Sequence, residues 1–198
     1  PDLTYHDLLF LKDIEHVLDI YYNSGNFKTS IHFIQSVTSS KKGMFAFFSS
    51  IVHWLYHQFP GEFYLPRKTG TWFQLFSDFM TSQCHELDFS FEQMEVFLEL
   101  LRFDFLALGK PGSIPQWCKR SYNKDAHHQA LLTHTEMTST REAYSYSEYE
   151  EFRVNPLVWL SRLSSESQEV KKEGILFLYP KPKSGVRNQE VQFLTVAI

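Results

Sequence analysis

Phe91, Met94, Leu98, Leu101, Phe105 and Leu108 follow one another at alternating intervals of three and four residues, a spacing that gathers side chains on one face only if the chain is helical. Gly109 and Pro111 come directly after. The first can take the left-handed conformation that closes a helix, and the second cannot continue one. An amphipathic helix over 91–108 has to bury its stripe against something. The rest of the first half supplies partners of the same kind.

Thr4 is a candidate N-cap for a helix over 4–23, with Leu8, Leu11, Ile14 or Glu15, Leu18 and Tyr22 on one face and Asn23-Ser24-Gly25 as its stop. A second helix runs from Phe27 to Val37 through Ile31 and Ile34. After Ser39-Ser40-Lys41-Lys42-Gly43, a third runs from Met44 to Phe59 with Phe45, Phe48, Val52, Leu55 and Phe59 as its stripe. Pro60-Gly61 ends it. Trp72, Leu75, Phe76, Phe79 and Met80 mark a fourth. About five amphipathic helices joined by short connections predict an antiparallel bundle.

The texture changes after Trp117. Residues 119–147 are polar, with Leu131-Leu132 as an apolar anchor and a short helix expected from Lys124, capped by Asn123. Tyr149–Val154, Ile175–Tyr179 and Val191–Val196 read as strands, and Pro180 to Gly185 as a long hairpin loop. Asn155-Pro156 stops the first strand, leaving Leu157 to Leu160 to cover the sheet as a helical turn. The expected class is α+β, mainly α: a helical bundle over 1–118, then a polar connector and a small antiparallel sheet over 119–198, packed on the bundle. No repeat of fixed period is present, which disfavours a solenoid.

With 43% hydrophobic and 17% aromatic residues, 19 of them Phe, disorder is excluded for most of the chain. The net charge is −4 and Lys and Arg are scattered, so the basic stripe that holds nucleic acid is missing. No segment approaches the roughly 20 apolar residues of a membrane span. Cys84 and Cys118 stand alone, as in a reducing compartment, and the expected location is cytoplasmic. The chain starts at Pro1 almost directly in a helical pattern, which suggests a piece of a longer protein.

Catalytic motifs are sparse. His53 and His57 have the i, i+4 spacing of a metal pair, but Trp54 stands where a zinc protease would carry Glu. His127, His128 and His134 with Cys118 form a loose group in polar sequence. Cys84-His85 reads as a buried, inert thiol beside a histidine. Glu148, Glu150 and Glu151 read as a solvated strand edge. Tyr21-Tyr22 and Phe47-Phe48 read as core, not as stacking platforms for bases. No nucleophile elbow or glycine-rich phosphate loop occurs.

Asp104 breaks a local rule. An anion in the last turn of a helix is disfavoured by roughly 0.3–1 kcal/mol, so Arg102, Lys110 or backbone N–H groups after Gly109 are expected to compensate it. Arg102, Asp104, Gly109, Lys110, Pro115 and Trp117 form a candidate structural latch or docking segment. Leu100 to Pro115, together with Leu11-Lys12-Asp13-Ile14-Glu15-His16-Val17-Leu18 and Tyr21-Tyr22-Asn23-Ser24-Gly25-Asn26-Phe27, resembles the C-terminal domain of unknown function appended to cobalamin-binding radical SAM proteins. The likeness runs from the first helix to the final hairpin and is strongest before Trp117.

The resemblance implies an upstream cobalamin domain and a barrel whose iron-sulfur cluster, held by three closely spaced cysteines, cleaves S-adenosylmethionine. Two separated cysteines cannot hold such a cluster, so cluster, radical and any cobalamin belong upstream of Pro1. No catalytic, cofactor-binding or metal residue carries over to this chain. The implied partners are the upstream radical SAM barrel and a substrate the sequence does not identify. A free-standing helical module that binds another protein is the alternative, and a metal protein using the histidines is a third.

Overall fold

The computed structural model describes residues 3–38, 43–134, 145–160, 172–180 and 191–196. The chain divides into two compact units, Pro1–Leu101 and Arg102–Ile198. Mainly helical α+β architecture is observed, with the helices first and a three-stranded antiparallel sheet in the order β1-β2-β3 near the C-terminus. The hairpin loop expected at 180–185 lies outside the described residues beyond Pro180.

The first unit holds α1 (Tyr5–Leu18), α2 (Lys28–Thr38), α3 (Gly43–Gln58), α4 (Thr69–Gln83) and the first part of α5 (Phe91–Ala107). Thr4 caps α1 in a full capping box: Asp7 N–H donates to Thr4 Oγ1 at 3.2 Å, and Thr4 N–H donates to Asp7 Oδ2 at 2.9 Å. A single π-helical turn, Asp19–Asn23, continues α1. Phe rings make the core. Phe27 stacks on Phe73 at 4.1 Å, Tyr21 tilts on Phe76 at 4.6 Å, and Phe76 meets Phe97 edge-on at 5.2 Å, offset and T-shaped arrangements worth about 0.5–1.5 kcal/mol beyond the buried area.

The fourth stripe is buried throughout, but three others are corrected. On α1 the inward face carries Asp13, Ile14, Val17 and Tyr21, while Leu8 and Leu11 are 52% and 40% exposed. A carboxylate occupies one of the buried positions, so a search for apolar residues selects the neighbouring face. On α3, Phe47 and Ile51 are buried beside Phe48, Val52 and Leu55, and Phe45 is exposed. On α5, Phe91 and Leu108 are exposed, whereas Leu100, Leu101, Arg102, Phe103 and Asp104 are buried in succession. No single face describes such a helix. The division between the two units falls within α5 at Leu101, and Phe103 and Leu106 belong to the core of the strands.

That second unit is organised by the alternation of β1 (Ser147–Phe152). Tyr149 packs with Leu176 of β2 (Glu173–Leu178) and with Ala130 and Leu131 of α6 (Lys124–His134). Phe152, Ile175 and Phe177 turn the other way and cluster with Phe103 and Leu106 of α5, and Leu157 and Leu160 of α7 (Pro156–Leu160) pack against them. Helices thus cover both faces of the sheet, and β2 accordingly reads Ile175-Leu176-Phe177-Leu178 without alternation. β3 (Gln192–Val196) pairs with β2 through Leu176 opposite Leu194. Asn123 accepts from Asp125 N–H and Ala126 N–H and so caps α6, and Asn155 does the same for Leu157 N–H in α7 at 2.9 Å.

Candidate functional site

Strand alternation that places Phe152 on the α5 side of the sheet places Glu150 and Glu148 there as well. Glu150 is fully buried and Arg102 is 6% exposed, which overturns the expectation of a solvated acidic edge. The reason lies outside the strand: α5 and the segment after it deliver the cations. Arg102 Nη1 donates to Glu150 Oε2 at 3.4 Å, to Ser121 Oγ at 3.2 Å and to the carbonyl of Lys119, and Nη2 donates to the carbonyl of Glu151 at 2.6 Å. Its guanidinium carbon lies 4.4 Å from the centre of the Phe152 ring, a cation-π contact.

Arg120 joins the two acids, donating from Nε to Glu150 Oε1 and from Nη2 to Glu148 Oε2. Ser121 N–H donates to Glu150 Oε2 at 2.7 Å, and Ser121 Oγ donates to the carbonyl of Glu151 at 2.6 Å. Lys110 Nζ donates to the carbonyl of Ser145 at 2.9 Å and lies 3.9 Å from Glu148 Oε1. A buried carboxylate that kept its charge without such partners would cost several kcal/mol. Here both oxygens of Glu150 are occupied.

The residues singled out in the sequence fall around this centre. Arg102 directs its guanidinium to Glu150 and the carbonyls, not to Asp104, and Asp104 is itself buried at 4% exposure. Gly109 has φ of 140° and closes α5, with its N–H on the carbonyl of Leu106. The carbonyl of Pro115 accepts from Cys118 N–H at 3.0 Å, making the turn that carries Trp117 edge-on to Phe105 at 5.8 Å. Sequence reasoning missed Arg120, Ser121, Glu148 and Glu150 as a set. The period-2 relation of Glu148 and Glu150 to Phe152 was the available signal.

On the α6 face, His127 is buried, with Nε2 2.8 Å from Ser147 Oγ and Nδ1 3.4 Å from the Tyr122 hydroxyl. Burial lowers its pKa to about 4, against a smaller opposing effect of Glu148. Burial also raises the Cys118 thiol to about 11 and raises the Tyr179 hydroxyl, with Glu148 adding to it. For Arg120 burial works against the charge, but Glu150 and Glu148 outweigh it and the pKa rises. These shifts fix each group in one protonation state near pH 7, whereas proton transfer works best with a pKa near the operating pH.

His53 is exposed and stacks on Phe10 at 5.0 Å, and His57 is exposed too. His127 is buried against Ser147 and Tyr122, and Cys84 is half-buried. Among the described residues no three His, Cys, Asp or Glu side chains stand together as metal ligands, and no helix is long and apolar enough to cross a membrane.

The arrangement defines an α+β domain whose central charges are matched within one unit. The chain matches the model of a family described as protein of unknown function, DUF4080, over residues 1–177, and it belongs to that family. No curated protein and no solved structure matches it.

Proposed function

We propose that the chain is a non-catalytic accessory domain of a cobalamin-binding radical SAM enzyme, docking on the catalytic barrel or contributing to substrate or partner binding. One observation carries the non-catalytic part: Arg102, Arg120, Glu148 and Glu150 neutralise one another. In this reading Arg102, Asp104, Gly109, Lys110, Pro115 and Trp117 act as a latch. Arg102 and Lys110 tie the segment after α5 to Lys119 and Ser145. The link to radical SAM chemistry rests on the sequence resemblance, and the cluster, S-adenosylmethionine and any cobalamin belong to the upstream part of the parent.

Docking is supported by Leu3 and the start of α1, where Tyr5, Leu8, Leu9 and Leu11 are likewise open to solvent. Exposed apolar residues gathered on one short stretch mark interaction surfaces more often than isolated ones do. The reading frame upstream of Pro1 tests the proposal: a Cys-x3-Cys-x2-Cys motif is expected in the same frame. A frame that opens without one favours a free-standing interaction module, for which the same α1 residues are the contact surface.

A further inference from the structure

In the first unit the segment 59–68, between α3 and α4, is fastened over α1 by a small set of polar and aromatic contacts. Asp13, 5% exposed, accepts from the Tyr56 hydroxyl of α3 at 2.9 Å and from the Tyr64 hydroxyl of the segment. Phe63 is buried and stacks on Tyr56 at 4.6 Å. Arg67 holds the segment's shape from within, donating to the carbonyls of Glu62, Phe63 and Leu65, and lies over the rings of Phe59 and Trp72.

His16, one turn along α1 from Asp13, sits inside this arrangement. Its ring is 5.1 Å from Tyr64, 5.6 Å from Phe63 and 6.5 Å from Trp72. Its Nε2 is buried and has no hydrogen-bond partner among the described residues. We propose that the segment 59–68 is a proton-operated clasp, shut while His16 is neutral and released when His16 becomes charged.

The chemistry follows from the donors and acceptors. A neutral imidazole can place its proton on Nδ1 and leave Nε2 as an unused acceptor, which is tolerable among rings. An imidazolium donates from both nitrogens, and a buried N–H without an acceptor costs about 1–3 kcal/mol. The charged ring has to turn toward an oxygen, and Asp13 is the near carboxylate on its own helix. Asp13 already accepts from Tyr56 and Tyr64 and has lone pairs left for an imidazolium N–H, but a ring that turns toward it leaves its contacts with Tyr64, Phe63 and Trp72, which are what seat the segment on α1.

The charged groups acting on His16 are Asp19 and Asp13 from α1 and its continuation and Arg67 from the segment; α4 presents the Trp72 ring. Burial is the largest influence and lowers the pKa, the two acids oppose it, and Arg67 adds to the lowering. A group with a folded pKa below its unfolded value of 6.5 adds stability above that pH and loses it as the pH falls. The clasp is therefore shut at pH 8 and loosens in mild acid.

Amide exchange of the 198-residue chain, followed by NMR between pH 8 and 5 and corrected for intrinsic rates, tests this. Glu62 N–H and Leu65 N–H, bonded to the carbonyls of Phe59 and Glu62, should lose protection by about tenfold relative to Phe76 in α4 as His16 titrates. His16→Phe, and His16→Gln should the first not fold, should remove that dependence. Unchanged protection of Glu62 and Leu65 across the His16 titration, or a dependence that survives in either folded variant, overturns the proposal.

Discussion

Removing the Glu150 carboxylate is the sharpest perturbation of the second unit. In Glu150→Ala, Arg102 keeps the carbonyls of Lys119 and Glu151 but loses the Glu150 counter-charge, and its side chain is 7% exposed, too enclosed for water to replace the carboxylate. Orphaning one member of a buried ion pair costs about 3–5 kcal/mol. Arg120, 27% exposed, regains hydration and adds about 0–1 kcal/mol. Ser121 N–H loses its acceptor as well. The expected loss is thus about 3–6 kcal/mol, against about 0–1 kcal/mol for Glu148→Ala, whose side chain is 15% exposed.

Urea unfolding at pH 7, followed by far-ultraviolet circular dichroism and by the near-ultraviolet aromatic signal, measures both. The double variant Arg102→Met with Glu150→Leu should recover a large part of the loss, because two apolar side chains leave no charge uncompensated. A Glu150→Ala chain within about 1 kcal/mol of wild type, or indistinguishable from Glu148→Ala, refutes the reasoning, since that is how a solvated strand edge behaves.

Gly174 lies under Tyr149, and a Cβ there would sit 2.5 Å from the Tyr149 hydroxyl oxygen and 2.9 Å from Cε2; Gly174→Ala should cost about 1–3 kcal/mol in the same unfolding assay. Cys118, at 3% exposure with a thiol pKa of about 11, should resist a thiol reagent at pH 8 in the folded chain while the half-buried Cys84 reacts, both reacting in denaturant. His127, lowered to about 4 from 6.5, adds stability above pH 6.5 that is lost as the pH falls toward about 4. Its ring resonances should stay in the neutral position down to about pH 5.

Much of the fold was legible in the sequence because it rests on local signals. Thr4, Asn123 and Gly109 mark helix ends where short-range hydrogen bonding or backbone freedom requires those residue types, and the strands follow from β-branched and aromatic runs. What local signals could not carry was facing. Asp13 occupies a buried position on α1 because Tyr56 and Tyr64, far along the chain, reach it. Glu150 is buried because Arg102 and Arg120 come from outside its strand. In both places a charged residue sits where a hydrophobic pattern expects an apolar one, and the compensating partner is visible only once the chain is folded.

The proposed function assigns this chain to a parent whose cluster cleaves S-adenosylmethionine, and comparing that cleavage in the full parent and in the parent lacking residues 1–198 tests the accessory role directly. The account predicts that 5′-deoxyadenosine still forms without this domain. Loss of that cleavage, with the truncated parent folded and its cluster intact, would contradict it.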